Sequence, residues 1–393
     1  MPTSATTLAF VESPVQLLNV LEWAYAHGPA PRGPLLDGVP RQSAGGSDRP
    51  GGGSDRPAGA AAAPALRIVV LPPTDPMSRG QLRRMAALAR DEGHEVRWQE
   101  ARGGRLAPLK ALAALSHDVR AARTVVVGDP FSRYVQLLLT LVRAEELVVV
   151  DDGTATMEFI AQTARGERLV RWHRVGGGGL PGRVRELAYA PVSATARRRF
   201  KPGKATGTGT ARRVEVFSSM PVTAHGAMTL RVNDFAWTRA RFGPPRLTRG
   251  TDLVGTSLVE TGVVDPACYL DAVRALTREH GATRYFAHRR ESPEKLRALS
   301  EATGLEIVRP DLPLELIARR GPVGRTIVSF PSTVVHTLPY ALTGTGVTVA
   351  VCDIDPAWLT GSASPRARGF LAGVTDTARD VRRLPAQAAP AAG

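Results

Sequence analysis

Short runs of Val, Ile and Leu alternate with longer stretches apolar on one face, and this rhythm leaves few folds open to the chain. LRIVVLPP (66–73), RTVVVGD (123–129), ELVVVDDG (146–153), RTIVSF (325–330) and VTVAVCD (347–353) are such runs. A strand apolar at successive positions has no side for water, so it belongs in a parallel sheet covered by helices on both faces. The intervening segments supply those helices, among them SRGQLRRMAALARDEG (78–93), FSRYVQLLLTLV (131–142), Pro266 to His280 and Pro293 to Thr303. Near the start, Ser13-Pro14-Val15-Gln16 has the residues of a capping box with proline in the first turn, ahead of LLNVLEWAYAH. The predicted class is α/β, with two Rossmann-like doubly wound domains facing across a cleft.

A chain of 393 residues accommodates two such domains at roughly 100 to 200 residues each. The expected division places residues 1–212 in the first and 213–375 in the second, with the strand RVEVFSS (213–219) opening the second, and leaves 376–393 as a flexible tail. Two segments interrupt the first half. Residues 28–64 are rich in Gly, Pro, Ala and Ser, write GGSDRP twice, and read as a flexible insertion. Residues 161–212 read as a basic loop or linker, with thirteen Lys and Arg against two Glu over 161–213.

The net charge of +15 asks for an anionic partner, and nucleic acid, lipid headgroups and an anionic substrate all qualify. Nearly all of it is arginine, with lysine only at 110, 201, 204 and 295, so Arg-rich composition accounts for the excess equally well. Aromatic residues make up 5%, and no RRM, KH, zinc-finger or helix-turn-helix pattern is present, which argues against specific nucleic-acid recognition. The basic segment is either a solvated loop or a surface for anionic lipid or polymer. No apolar run approaches the roughly 18 residues of a membrane span, and the N-terminus lacks a signal-peptide pattern. The expectation is a cytoplasmic protein with Cys268 and Cys352 as reduced thiols, and peripheral contact with the inner face of the membrane is the alternative that the basic segment leaves open.

Four strand ends carry chemistry. Asp151-Asp152-Gly153 closes an apolar strand, so a carboxylate emerges at the sheet mouth. Repulsion between paired carboxylates raises one pKa, which suits a general base for a hydroxyl proton. Capping of the next helix by Asp152 or Thr154 explains the same residues. His288-Arg289-Arg290-Glu291 supplies an imidazolium and two guanidinium groups for a departing phosphate, or else a surface basic turn. Ser332 and Thr333, in SFPST, open a helix where hydroxyls and free N–H groups bind an anion or simply cap. Gly255, Thr256, Ser257 and Glu260 bracket a further strand end, and His336 reads as a helix-face histidine. No histidine spacing suggests a metal.

FVESPVQLLNVLEW, VVVDDGTATM, LVGTSLVE, YFAHRRES followed by Lys295, and SFPST, in this order, together resemble bacterial sialyltransferases of the polysialyltransferase type. The resemblance implies a GT-B fold, an acceptor bound mainly by the N-terminal domain, CMP-sialic acid bound by the C-terminal domain, and inversion at the anomeric carbon without metal or cofactor. It makes Asp151 the general base, with Asp152 as the second acid, and His288, Ser332 and Thr333 contacts of the CMP phosphate. Gly255, Thr256, Ser257, Glu260, Arg289 and Arg290 complete the expected donor site. Arg289 stands where the family has a proline. A non-catalytic glycan- or nucleotide-binding protein is the reading from a different class, and a basic nucleic-acid-binding protein is a third.

Overall fold

The computed structural model describes residues 7–28, 66–102, 104, 107–171, 180–201 and 212–387. Apart from Gly28, the expected insertion lies outside the described residues, as do 172–179 and 202–211 of the basic segment and 388–393 of the tail.

The first sheet has seven strands: β1 (Thr7–Val11), β2 (Leu66–Val70), β3 (Glu95–Trp98), β4 (Thr124–Val127), β5 (Glu146–Val150), β6 (Arg213–Ser218) and β7 (Thr229–Val232). Their spatial order is β3-β2-β1-β4-β5-β6-β7, and every neighbouring pair is parallel. Alternate residues serve opposite faces, as the pleat requires. Val126, Val148 and Val150 pack with α1 (Pro14–His27) and α2 (Pro76–Asp91). Val125, Val127, Leu147 and Val149 pack with α3 (Ala107–Ala121), α4 (Arg133–Leu139) and α5 (Thr154–Ala164). Each fully buried aliphatic side chain contributes about 1.5 to 3 kcal/mol.

The second sheet has six strands, β8 (Leu247–Val254), β9 (Ala282–Phe286), β10 (Glu306–Val308), β11 (Val323–Ser329), β12 (Thr348–Cys352) and β13 (Arg382–Leu384), in the order β10-β9-β8-β11-β12-β13. All of its pairs are parallel. Both sheets reverse their order beside the first strand, between β1 and β4 and between β8 and β11. At such a switch point the loops beyond the strands' carboxyl ends part and leave a crevice for a ligand.

Three features depart from the sequence expectation. Strand β6 pairs with β5, from Glu146↔Arg213 to Val150↔Phe217, so 213–218 belongs to the first sheet and not the second. Val214 and Val216 bury in the core that holds Val149, Phe217 buries in the one that holds Val148, and the chain passes to the second sheet only after β7, through α7 (Ala236–Phe242). The expected tail includes strand β13, whose Leu384 is buried beside Cys352, after α12 (Pro365–Thr377). The basic segment contains helix α6 (Leu180–Arg199), with Ala196 and Phe200 buried and the Phe200 ring meeting Phe159 edge-on at 5.0 Å. Arg197 donates to the Gly166 carbonyl and Arg199 to that of Thr140, so only Arg198 of the arginine triplet is exposed.

The halves meet through α10 (Leu314–Arg320) and α11 (Val334–Ala341). Leu312, Leu316 and Ala341 join the core that holds Leu17 and Trp237. Gln81 Nε2 donates to the Pro310 carbonyl at 2.7 Å. No described helix is long and apolar enough to cross a membrane. Both cysteines are free.

Candidate active site

Asp151, immediately after β5, is 2% exposed. Its Oδ1 accepts from Gly153 N at 3.1 Å and Thr156 Oγ1 at 2.7 Å, and its Oδ2 accepts from Ser219 N at 3.1 Å. Burial pushes its pKa up to about 6, against the opposing pull of these hydrogen bonds. Desolvation, rather than the expected repulsion from Asp152, is the cause. Asp152 turns aside and shares the Arg171 guanidinium with Asp129, each 2.9 Å away. Its own pKa is raised by burial and then by the Asp129 charge, with Arg171 opposing.

Neither Asp152 nor Thr154 caps α5. Gly153 holds the cap position at φ 65° with no side-chain hydrogen bond. A Cβ there would lie 2.8 Å from Thr333 Cγ2 of the opposite half, so glycine serves both the left-handed turn and the close approach. The capping box at the start of α1 is displaced by one residue. Ser13 Oγ accepts from Gln16 N at 3.2 Å, but Gln16 Oε1 accepts from Glu12 N at 2.7 Å. Asn19 on the same helix donates to the Asp151 carbonyl at 2.8 Å and accepts from Asn233, fixing the Asp151 backbone from behind.

Three strand ends of the second sheet face this carboxylate. Gly255, Thr256 and Ser257 follow β8, His288 and Arg289 follow β9, and Ser332 and Thr333 follow β11; all of them line a cleft of about 390 Å³ together with Asp151, Asp152 and Gly153. His288 Nδ1 accepts from Arg290 N at 3.2 Å, which leaves the ring proton on Nε2. Burial first, then the charges of Arg289, Arg290 and Lys295, push its pKa down to about 4. The histidine is therefore a neutral Nε2–H donor, not the expected imidazolium. Arg289 lies in the field of the Asp152 and Asp75 carboxylates.

Two expected donor residues lie elsewhere. Arg290 is exposed and is not among the cleft-lining residues; it contributes its backbone N–H to His288. Glu260 is exposed, accepts from Ser292 N at 3.4 Å, sits 3.5 Å from Lys295 Nζ, and is not among the cleft-lining residues. A basic turn brings only some of its charges to one side, and the spacing of consecutive cations does not say which.

Helix α11 begins without any side-chain cap, and Ser332 Oγ sits 3.1 Å from Ser329 Oγ. Ser332 and Thr333 line the cleft at this helix start, while Val335 N and His336 N already donate to the Ser332 and Thr333 carbonyls at 3.3 and 3.1 Å, so the hydroxyls and the dipole of α11 are what an anion would meet there. His336, one turn on, is buried with Nε2 unpartnered and is not among the cleft-lining residues.

Glu315 is the residue that the sequence reading missed. It lines the second-sheet wall, is 5% exposed, and takes a 2.6 Å hydrogen bond from Thr337 Oγ1. Burial raises its pKa. In sequence it passes for an ordinary first-turn acid of a short helix. Among the described residues no three His, Cys, Asp or Glu side chains gather in a group able to hold a metal ion.

No protein-family model matches the chain. No curated protein is similar to it in sequence. Solved structures do match. The α/β-galactoside α-2,3-sialyltransferase of the luminous marine bacterium Photobacterium phosphoreum is 9% identical over 97% of this chain and 99% of its own, with a TM-score of 0.50. The GT-B domain of the Photobacterium damselae sialyltransferase is 10% identical over 97% and 100%, at 0.43, and Acinetobacter baumannii MurG 9% identical over 97% and 86%, at 0.40. Two parallel doubly wound sheets with a cleft between them, matched over nearly the whole length of the first of these proteins, make the fold a two-domain GT-B fold.

Proposed function

We propose that the protein is an inverting, metal-independent glycosyltransferase that moves sialic acid, or a related ulosonic acid, from a CMP-activated donor to a glycan hydroxyl. The observation that carries this reading is the pairing, across one cleft, of a buried carboxylate of raised pKa with an uncapped helix start, two hydroxyls and a neutral histidine. The acceptor side is the first sheet and the donor side the second.

In the proposed reaction Asp151 takes the proton of the acceptor hydroxyl as its oxygen bonds to the ketosidic carbon. The bond from that carbon to the phosphate oxygen breaks, its electron pair leaves with CMP, and the proton stays on Asp151. His288 Nε2–H and the hydroxyls of Ser332 and Thr333 receive the phosphate charge, with the N-terminus of α11 and Arg289 beside them. Glu315, the one carboxylate among the lining residues of the second half, accepts hydroxyls of the donor ribose. Contact with an anionic membrane face, which exposed Arg198 would serve, and a cytoplasmic location belong to the proposal.

Release of CMP from a panel of CMP-activated ulosonic acids, with and without glycan acceptors and in EDTA, tests it. Acceptor-dependent release that persists in EDTA is expected. A magnesium or manganese requirement would replace the metal-free chemistry, release from UDP- or ADP-sugars alone would replace the donor, and donor binding without turnover would make the protein a binder.

A further inference from the structure

The turn that carries His288 lacks the rigid ring of a proline, yet the imidazole is held in one tautomer. The reason lies three residues on. Glu291 is 3% exposed, and its Oε2 accepts from His288 N at 2.6 Å while its own N–H donates to the His288 carbonyl at 3.0 Å. These reciprocal bonds close the turn from 288 to 291, inside which Arg290 N reaches His288 Nδ1.

The carboxylate is itself gripped. Tyr285 Oη donates to Oε1 at 2.5 Å, with Tyr269 Oη 2.7 Å behind it. Lys295 Nζ lies 2.7 Å from Oε1 and donates to the Thr256 carbonyl at 3.0 Å, tying in the loop after β8. A Cβ on Gly255 would fall 2.1 Å from Oε2, so that loop packs directly on the carboxylate. Glu291 is not among the cleft-lining residues, so its effect reaches the reaction through others.

We infer that Glu291 is a positioning residue that clamps the His288 turn and the Gly255–Thr256 loop onto one buried carboxylate, keeping His288 as a fixed Nε2–H donor toward the cleft. The inference rests on the donor reading above for the use made of His288. The clamp itself is independent of that reading. Hydrogen bonding here supplies the order that a proline ring supplies covalently, and Arg289 is left free to face the cleft.

Two variants test it: Glu291→Gln, which sets an amide against His288 N–H or Tyr285 and removes the nearer carboxylate partner of Lys295, and the milder Tyr285→Phe. Nitrogen NMR of the histidine rings, thermal melting and CMP-donor kinetics are read together. The wild type is expected to show His288 as a pure Nε2–H tautomer. In Glu291→Gln the two ring nitrogens should average, and kcat should fall by about tenfold or more, the lower end of what loss of an outer-shell partner costs at metal sites. The acceptor KM should stay unchanged. Tyr285→Phe should move every reading in the same direction by less. Folded variants that keep the wild-type tautomer and kcat overturn the inference, and if Glu291→Gln fails to fold, Tyr285→Phe decides. If the wild type turns over no CMP donor, the donor reading fails while the NMR result still judges the clamp.

Discussion

Asp151→Asn is expected to lower kcat by at least about a hundredfold, the lower range for loss of a general base, while CMP affinity stays within about twofold. The amide keeps the shape and can still accept from Thr156, but it cannot take a hydroxyl proton. The same assignment fixes a pH profile. A general base at Asp151 would work when ionised, and burial raises its pKa to about 6, so kcat/KM should rise with pH through that value and then level off. His288, already neutral above its lowered pKa of about 4, should add no alkaline decline in the free enzyme. The acid limb should vanish in Asp151→Asn. Comparable turnover in the variant would remove Asp151 as the base, and a collapse confined to Asp152→Asn would shift the role by one residue.

Ser332→Ala, Thr333→Ala and His288→Ala should each weaken CMP binding in calorimetry, by about 1.5 to 3 kcal/mol per hydrogen bond lost to the charged phosphate, or roughly ten- to a hundredfold. His288→Ala should also slow transfer, because a donor to the leaving oxygen is lost along with a contact. The hydroxyl variants should act chiefly on affinity. Because no side chain caps α11, loss of either hydroxyl leaves the helix start intact, so stability should hold while binding falls. Unchanged affinity in all three would put the nucleotide elsewhere.

Those elements that carry their own punctuation were readable from sequence. Helices α8 (Pro266–His280) and α9 (Pro293–Thr303) begin as read, because Asp265 and Ser292 cap them and proline follows each cap. Asp151 was readable because an apolar strand must end before a charge. Strand β6 was misassigned because VEVF suits either sheet equally, and only its pairing with β5 settles the matter. Helix α6 was hidden by its breakers, since Pro181, Gly182 and an internal Pro191 interrupt the helical pattern behind a run of four glycines, 176–179. At the site, residue types were legible and their states were not. The tautomer of His288 depends on one backbone N–H, the outward turn of Arg290 on local geometry, and the roles of Glu291 and Glu315 on partners distant in sequence.

The most direct test of the central claim, one base facing one leaving-group site across a single cleft, is the stereochemistry of the first product. Transfer from a CMP-activated ulosonic acid to a glycan acceptor, followed by NMR from the earliest turnovers, should give a product inverted at the ketosidic carbon. A product with retained configuration would require a second displacement and a nucleophile on the donor face, and would contradict the account.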